Sequence, residues 1–211
     1  MAAKVFTVAQ QKGGAGKSTL AAHLAVAWLL SKKRVALVDI DPQSTLAAWF
    51  AMRQETLGAE AGGLTFENVT GWRASKTIEG LARDYDVVVV DSPPHAETDA
   101  RIAVRASNLV VIPTQPSPLD VWATRPTLDL AAKEKRDAIL VLNRVPPRAS
   151  LTEKMMEKLK GYDVKRAKAT IGNRVAFAES MADGLSAQEY KPSSLAASEI
   201  RALAAELFKK A

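Results

Sequence analysis

The 211 residues read as one doubly wound α/β domain on a mostly parallel sheet, spanning 1–211 with no interdomain linker or internal repeat. Two observations predict this. Five short runs rich in Val, Ile or Leu recur along the chain, at Lys4–Ala9, Arg34–Asp39, Tyr85–Asp91, Asn108–Ile112 and Ala138–Asn143. Continuous apolar runs of this length fit strands buried on both faces of a parallel sheet. Helix-length stretches separate them, and such alternation implies right-handed βαβ crossovers.

The elements follow in order. Lys4–Ala9 is the first strand, and a glycine-rich stretch after it opens a helix over Ser18–Leu30. Arg34–Asp39 leads through Pro42 into a helix over Ser44–Arg53, and Leu64–Val69, after the loop Gly58–Gly63, is a further, weaker strand. Tyr85–Asp91 ends ahead of Pro93 and Pro94, which suit the end of a strand. Thr98–Ser107 and Leu119–Glu134 are the next helices. In the last one, Ser194–Lys210, Ile200, Leu203, Ala204, Leu207 and Phe208 share a face. That moderately apolar stripe suits packing onto the sheet, with a membrane surface as the alternative.

Composition narrows the function. Hydrophobic residues make up 47% and charged residues 25%, an ordinary globular balance. The absence of cysteine excludes disulfides, thiolate metal sites and cysteine-held iron–sulfur clusters. The start MAAKVFTVAQQKGG has no basic region followed by a long apolar one, and no run approaches the ~18 apolar residues of a membrane span. A cytoplasmic protein with no membrane partner is expected.

The net charge of +6 is unevenly placed: residues 1–100 hold 10 Lys/Arg against 11 Asp/Glu, and 101–211 hold 19 against 12. The excess is densest over 144–174, with Arg144, Arg148, Lys154, Lys158, Lys160, Lys165, Arg166, Lys168 and Arg174. Such a bias marks either a polyanion-binding face or the solvated side of a helix. Glu153 and Glu157 beside Lys154 and Lys158 favour the second reading there.

The sharpest signal is Lys12-Gly13-Gly14-Ala15-Gly16-Lys17-Ser18, lying between a strand and a helix as a P-loop requires. Glycines let backbone N–H groups turn toward phosphate oxygens. The helix N-terminus adds its positive end, and Lys17 supplies a point charge to the β/γ-phosphates. Ser18 is placed to ligate Mg²⁺ and Thr19 to reach the α-phosphate. With glycine near 7% of residues, chance produces such a string in about one chain in 10⁴ or fewer. Asp91, closing the run Val87–Val90, is the strand-end carboxylate that a P-loop enzyme needs for its magnesium. Asp39 and Asp41, on either side of Ile40, are expected to point to different sides and do different jobs. Turn formation ahead of Pro42 is the alternative.

KGGAGKST, VDIDPQST and VVVVDSPP, in this order and spacing, resemble the deviant Walker A, A′ and B motifs of the ParA/MinD family of P-loop ATPases. VLNRV at 141–145 and IGNRVAFAES at 171–180 extend the likeness over most of the chain, in particular to short ParA-like ATPases without a helix-turn-helix domain. The resemblance implies ATP and Mg²⁺ as cofactors. It implies that Lys12 reaches across a nucleotide-sandwich homodimer to the partner's phosphates, that Asp41 orients or activates the attacking water, and that Asp39 sits near magnesium through its water shell. Asn143 matches an adenine-contacting asparagine.

The function expected is an ATPase that positions a plasmid, chromosome region or large protein complex. It would bind DNA non-specifically as an ATP dimer, associated with the nucleoid, and be released when a cargo-bound ParB-like or other adaptor stimulates hydrolysis. Arg174, Lys191 and Arg201 are the first candidate DNA contacts. Lys165, Arg166 and Lys168 come second, since alternating basic residues also suit the wet side of an edge strand. Rival readings are a MinD-like membrane regulator and a small-molecule ligase of the same superfamily, against which Lys12 argues. His23 and His95 are read as packing or surface residues, and Trp28, Trp49, Trp72 and Trp122 as core or dimer contacts.

Overall fold

The computed structural model describes residues 3–94, 97–147, 162 and 164–211. His95, Arg148, Glu153, Lys154, Glu157, Lys158 and Lys160 lie outside the described residues. Among the described residues the strands are β1 (Lys4–Val8), β2 (Val35–Asp39), β3 (Thr65–Asn68), β4 (Val87–Asp91), β5 (Leu109–Thr114), β6 (Asp137–Leu142) and β7 (Lys165–Arg166). The helices are α1 (Lys17–Leu30), α2 (Thr45–Leu57), α3 (Arg73–Asp84), α4 (Glu97–Ala106), α5 (Pro118–Lys133), α6 (Val175–Ala182), α7 (Ala187–Tyr190) and α8 (Leu195–Lys210). The sheet order is β3-β2-β4-β1-β5-β6-β7, and every pair is parallel rather than most of them.

Burial on both faces explains the continuous apolar runs. Phe6, Val8, Val35, Leu37, Val87 and Val89 point into a core shared with α1, α2 and α8. Their neighbours Val5, Val38, Val88 and Val90 point the other way, onto Ile78 of α3 and Ala103 of α4. Farther along, Val110, Ile112 and Leu140 meet Val121 of α5. Successive strand residues alternate faces, and here both faces are dry.

Three elements depart from the sequence reading. β5 continues two residues past Ile112, through Pro113. Val111 faces β1, so Pro113 does too, but β1 has ended there; its missing N–H costs no ladder bond and its carbonyl accepts from Gln10 Nε2 at 3.4 Å. α3 was not among the helices read from the pattern, although Ala74, Ile78, Leu81 and Ala82 recur at helical spacing and share one packed face. α6 begins inside the IGNRVAFAES stretch and runs two residues beyond it, over eight residues.

The stripe of α8 is buried, with Ile200, Leu203 and Leu207 at 1% exposure or less. Trp28 Nε1 of α1 donates to the Ala204 carbonyl at 3.1 Å and its ring stacks on Phe6, so α8 closes over α1 and the sheet. Trp28 and Trp49 are core residues, whereas Trp72 and Trp122 are 76% and 59% exposed. His23 is fully buried, as a packing residue. β7 is an edge strand whose Lys165 and Arg166 are exposed.

Strand order places the chemistry. β1 sits between β4 and β5, and the chain moves to β2 on one side before crossing to β5 on the other. The carboxyl ends of β1, β2, β4 and β6 therefore converge where such sheets bind ligands.

Candidate nucleotide site

The loop after β1 is shaped by two glycines in the left-handed region, Gly14 at φ 77° and Gly16 at φ 87°. A Cβ on Gly16 would stand 2.6 Å from Asn143 Nδ2, so the residue is required for space as well as for conformation. Asn143, at the end of β6, donates that Nδ2 to the Ala15 carbonyl at 2.8 Å. The Gly14 carbonyl accepts from Gln115 Nε2 at 3.0 Å and Arg144 Nη1 at 3.2 Å. Arg144 itself holds a strained φ of 52° beside the loop. Gln115 and Arg144 are site residues whose part no spacing rule revealed.

Lys17 and Ser18 open α1 directly after the loop, and a helix N-terminus of this kind can hold an anion. Lys17 is 7% exposed; burial pulls its pKa down, while Asp91 and Asp41 pull it up. Asp91 is 1% exposed, and neither carboxylate oxygen has a hydrogen-bond partner among the described residues. Burial pushes its pKa up to about 7; the Ser18 hydroxyl favours the ionised form without completing a bond to it, and Asp39 opposes. Two unpartnered carboxylate oxygens facing a serine hydroxyl are a donor set that fits a hard divalent cation.

Asp39 and Asp91 are register partners on adjacent strands and so share a sheet face. Their settings differ. Asp39 is fully buried and accepts from the backbone N–H groups of Asp41 at 2.9 Å and Leu46 at 3.1 Å. Burial raises its pKa against those two bonds. Asp41 is half-buried and accepts from Gln43 N–H at 3.0 Å. Alternation does not separate the pair, since residues two apart in a strand share a face. β2 stops at Asp39 and the backbone turns, and that turn gives the two aspartates their different surroundings. Both also form the turn read as the alternative.

Beside the loop, Gly16, Thr19, Asn143, Gly172, Arg174 and Phe177 line a cleft. His23 lies in its wall, bonded through Nδ1 to the Thr19 carbonyl at 2.7 Å and through Nε2 to Ser180 Oγ at 3.2 Å. Lys12 lies apart from this cleft, with its Nζ 2.6 Å from Asp120 Oδ2 of α5.

Most of the candidate polyanion contacts border α8 or the residues just before it. Arg174 pairs with Glu199, and Lys191 pairs with Glu179 at 3.0 Å. Arg201 is exposed and donates to the Pro192 carbonyl at 3.1 Å. Lys168 is exposed near β7. Arg174 borders the cleft, which makes it a poor choice for a contact independent of the nucleotide site.

The family model of the CobQ/CobB/MinD/ParA nucleotide binding domain matches residues 6–187. Maintenance of carboxysome distribution protein A of Halothiobacillus neapolitanus is 29% identical over 191 residues, 87% of each chain. Its namesake from Gloeobacter kilaueensis is 38% identical over 148 residues, 69% of this chain and 65% of that one. Among solved structures, the Pyrococcus furiosus cell division ATPase MinD superposes with a TM-score of 0.79 at 23% identity, covering 99% of both chains. An aspartate-to-alanine variant of Cyanothece McdA in complex with ATP superposes with a TM-score of 0.77 at 15% identity, covering 98% of this chain and 96% of that one.

Proposed function

The chain belongs to the CobQ/CobB/MinD/ParA nucleotide-binding family, and from that premise we propose that it is an ATPase that positions a large cargo by ATP-gated binding to DNA. Two copies close on ATP across their P-loops, and Lys12 of each neutralises phosphate charge held by the other, as an arginine finger does. The observation that carries this reading is the position of Lys12. Its ammonium rests on α5 rather than in its own phosphate cradle, and its side chain is 36% exposed. Lys17 already serves the phosphates in cis.

Gly13, Gly14, Ala15, Gly16, Lys17 and Thr19 hold the phosphates, and Asn143 borders the adenosine cleft. Ser18 and Asp91 would hold magnesium, with Asp39 acting on its water shell; the ion supplies neutralisation of charge on the transferred phosphoryl group. Asp41, less buried than Asp39, orients the attacking water. Leu119 and Trp122, exposed at 64% and 59% on either side of Asp120, suit contacts between copies.

In the dimer the basic halves join and hold DNA phosphates without reading base edges, which associates the cytoplasmic protein with the nucleoid. Arg201 is the first contact proposed, then Lys191, Lys165, Arg166 and Lys168. Arg174, paired with Glu199 in the cleft wall, suits cleft support better. A cargo-bound adaptor, ParB-like or otherwise, stimulates hydrolysis and opens the dimer. The two relatives named for carboxysome distribution favour a protein assembly as cargo. The buried stripe of α8 speaks against a membrane-bound helix.

The test is Lys12→Ala in sedimentation with a slowly hydrolysed ATP analogue: a folded monomer is expected, and normal dimerisation would refute the trans role. DNA retention should need ATP and ignore sequence. It should fall about a hundredfold or more between 50 and 200 mM salt if roughly four to six phosphates are engaged. Arg201→Glu with Lys168→Glu should abolish it while nucleotide affinity is kept.

A further inference from the structure

In the single chain Lys12 already has a partner. Lys12 Nζ meets Asp120 Oδ2 at 2.6 Å across a sequence separation of 108 residues. Asp120 is 3% exposed against 36% for Lys12, so a buried carboxylate is met by a lysine arriving from the surface. The carboxylate is fixed in place: the Ser117 hydroxyl donates to the same Oδ2, and the Asp120 backbone N–H donates back to Ser117 Oγ at 3.2 Å, capping α5. Oδ1 is buried with no hydrogen-bond partner among the described residues.

The frame on both sides is tied together. Gln11 N–H donates to Thr127 Oγ1 at 3.3 Å, Thr127 to Gln10 Oε1 at 3.4 Å, and Gln10 Nε2 to Thr124 Oγ1 at 3.4 Å. The start of the P-loop and α5 are therefore held as one body, and the Lys12 side chain is the part left to exchange partners.

We infer that Asp120 is a positioning residue for Lys12: it holds the ammonium in cis, and dimer closure requires the lysine to trade this carboxylate for the phosphates of a second copy. The inference rests on the trans role proposed above. Withdrawing the lysine leaves a buried carboxylate without its cation, which is unfavourable. A polyphosphate offers enough negative charge to offset that loss, and a diphosphate offers less. The pair thus sets a threshold that helps ATP, and not ADP, to close the dimer.

Asp120→Asn keeps the shape and removes the charge. An ion pair with one partly exposed member contributes roughly a threefold to fivefold factor, and each dimer breaks two. Sedimentation equilibrium of the full chain with Mg²⁺ and a slowly hydrolysed ATP analogue should therefore show the dimer dissociation constant falling about tenfold to twentyfold. The variant should also begin to dimerise in ADP, which a merely structural role would not produce. Ser117→Ala, which loosens the carboxylate without removing it, should shift both readouts the same way by less, and it stands in should Asp120→Asn not fold. Variants that dimerise no more tightly than the wild type overturn the inference, and weaker dimers mean that Asp120 instead prepares Lys12 for its trans contact. A wild type that stays monomeric with the analogue, or a Lys12→Ala variant that dimerises normally, brings down the trans-lysine reading and this inference with it.

Discussion

Alanine at three glycines of the P-loop gives a graded test of the site's geometry. At Gly13 an added Cβ meets nothing within 4 Å and φ lies outside the left-handed region, so Gly13→Ala should change stability by about 0.5 kcal/mol or less. Gly14 has equal space but φ 77°, which costs an alanine about 1–2 kcal/mol. Gly16 adds to a φ of 87° a Cβ only 2.6 Å from Asn143 Nδ2. Asn143 must then move and give up its 2.8 Å bond to the Ala15 carbonyl, a further loss of about 1 kcal/mol or more. The expected order is Gly13, Gly14, Gly16, with the last destabilised by about 2–4 kcal/mol. Urea unfolding of the nucleotide-free protein measures it, and isothermal titration with Mg·ATP should show Gly16→Ala losing affinity by about tenfold or more. Equal effects at all three positions would mean that the strained loop does not exist in solution.

Three more expectations concern the buried ionisable groups and Asp41. Asp91→Asn should stabilise the nucleotide-free fold by about 1–3 kcal/mol above pH 7, because a buried carboxylate with no hydrogen-bond partner among the described residues is neutralised, while Mg-dependent ATP binding is lost; chemical denaturation and titration calorimetry read the two halves. Burial lowers the His23 pKa from 6.5 to about 4, against its bond to the Thr19 carbonyl, so its contribution is full above about pH 6.5 and lost as pH falls through about 4. His23→Gln should flatten the stability profile in that window by about 3 kcal/mol at most, seen as a smaller drop in urea midpoint between pH 7 and pH 4. Asp41→Ala should bind ATP and dimerise but stop hydrolysing, accumulating a stable dimer in sedimentation; loss of nucleotide affinity instead would assign Asp41 to the magnesium site.

Much of this was legible in residue order because the signals are local. The apolar runs at Val35–Asp39 and Val87–Asp91 demand burial on both faces, which a parallel sheet between helix layers supplies. The loop from Lys12 to Ser18 states its own chemistry, since neighbouring backbone amides and one lysine suffice to hold phosphate. The helix missed by that reading, α3, carries Ala74, Ile78, Leu81 and Ala82 on one face, so its signal was local as well.

The rest depends on which strands become neighbours, and local periodicity says nothing of that. Setting β1 between β4 and β5 brings Asp91 beside the loop and lets α5 lean on it, so that Lys12 meets Asp120 and Gly14 meets Gln115. The same order carries Asn143 onto the Ala15 carbonyl and brings Arg174, a candidate DNA contact by the family resemblance, into the cleft wall against Glu199. Phosphate chemistry was thus written in one heptapeptide, whereas the resting place of its first lysine was decided by packing, because only the folded sheet brings a buried carboxylate from 108 residues away within reach of it.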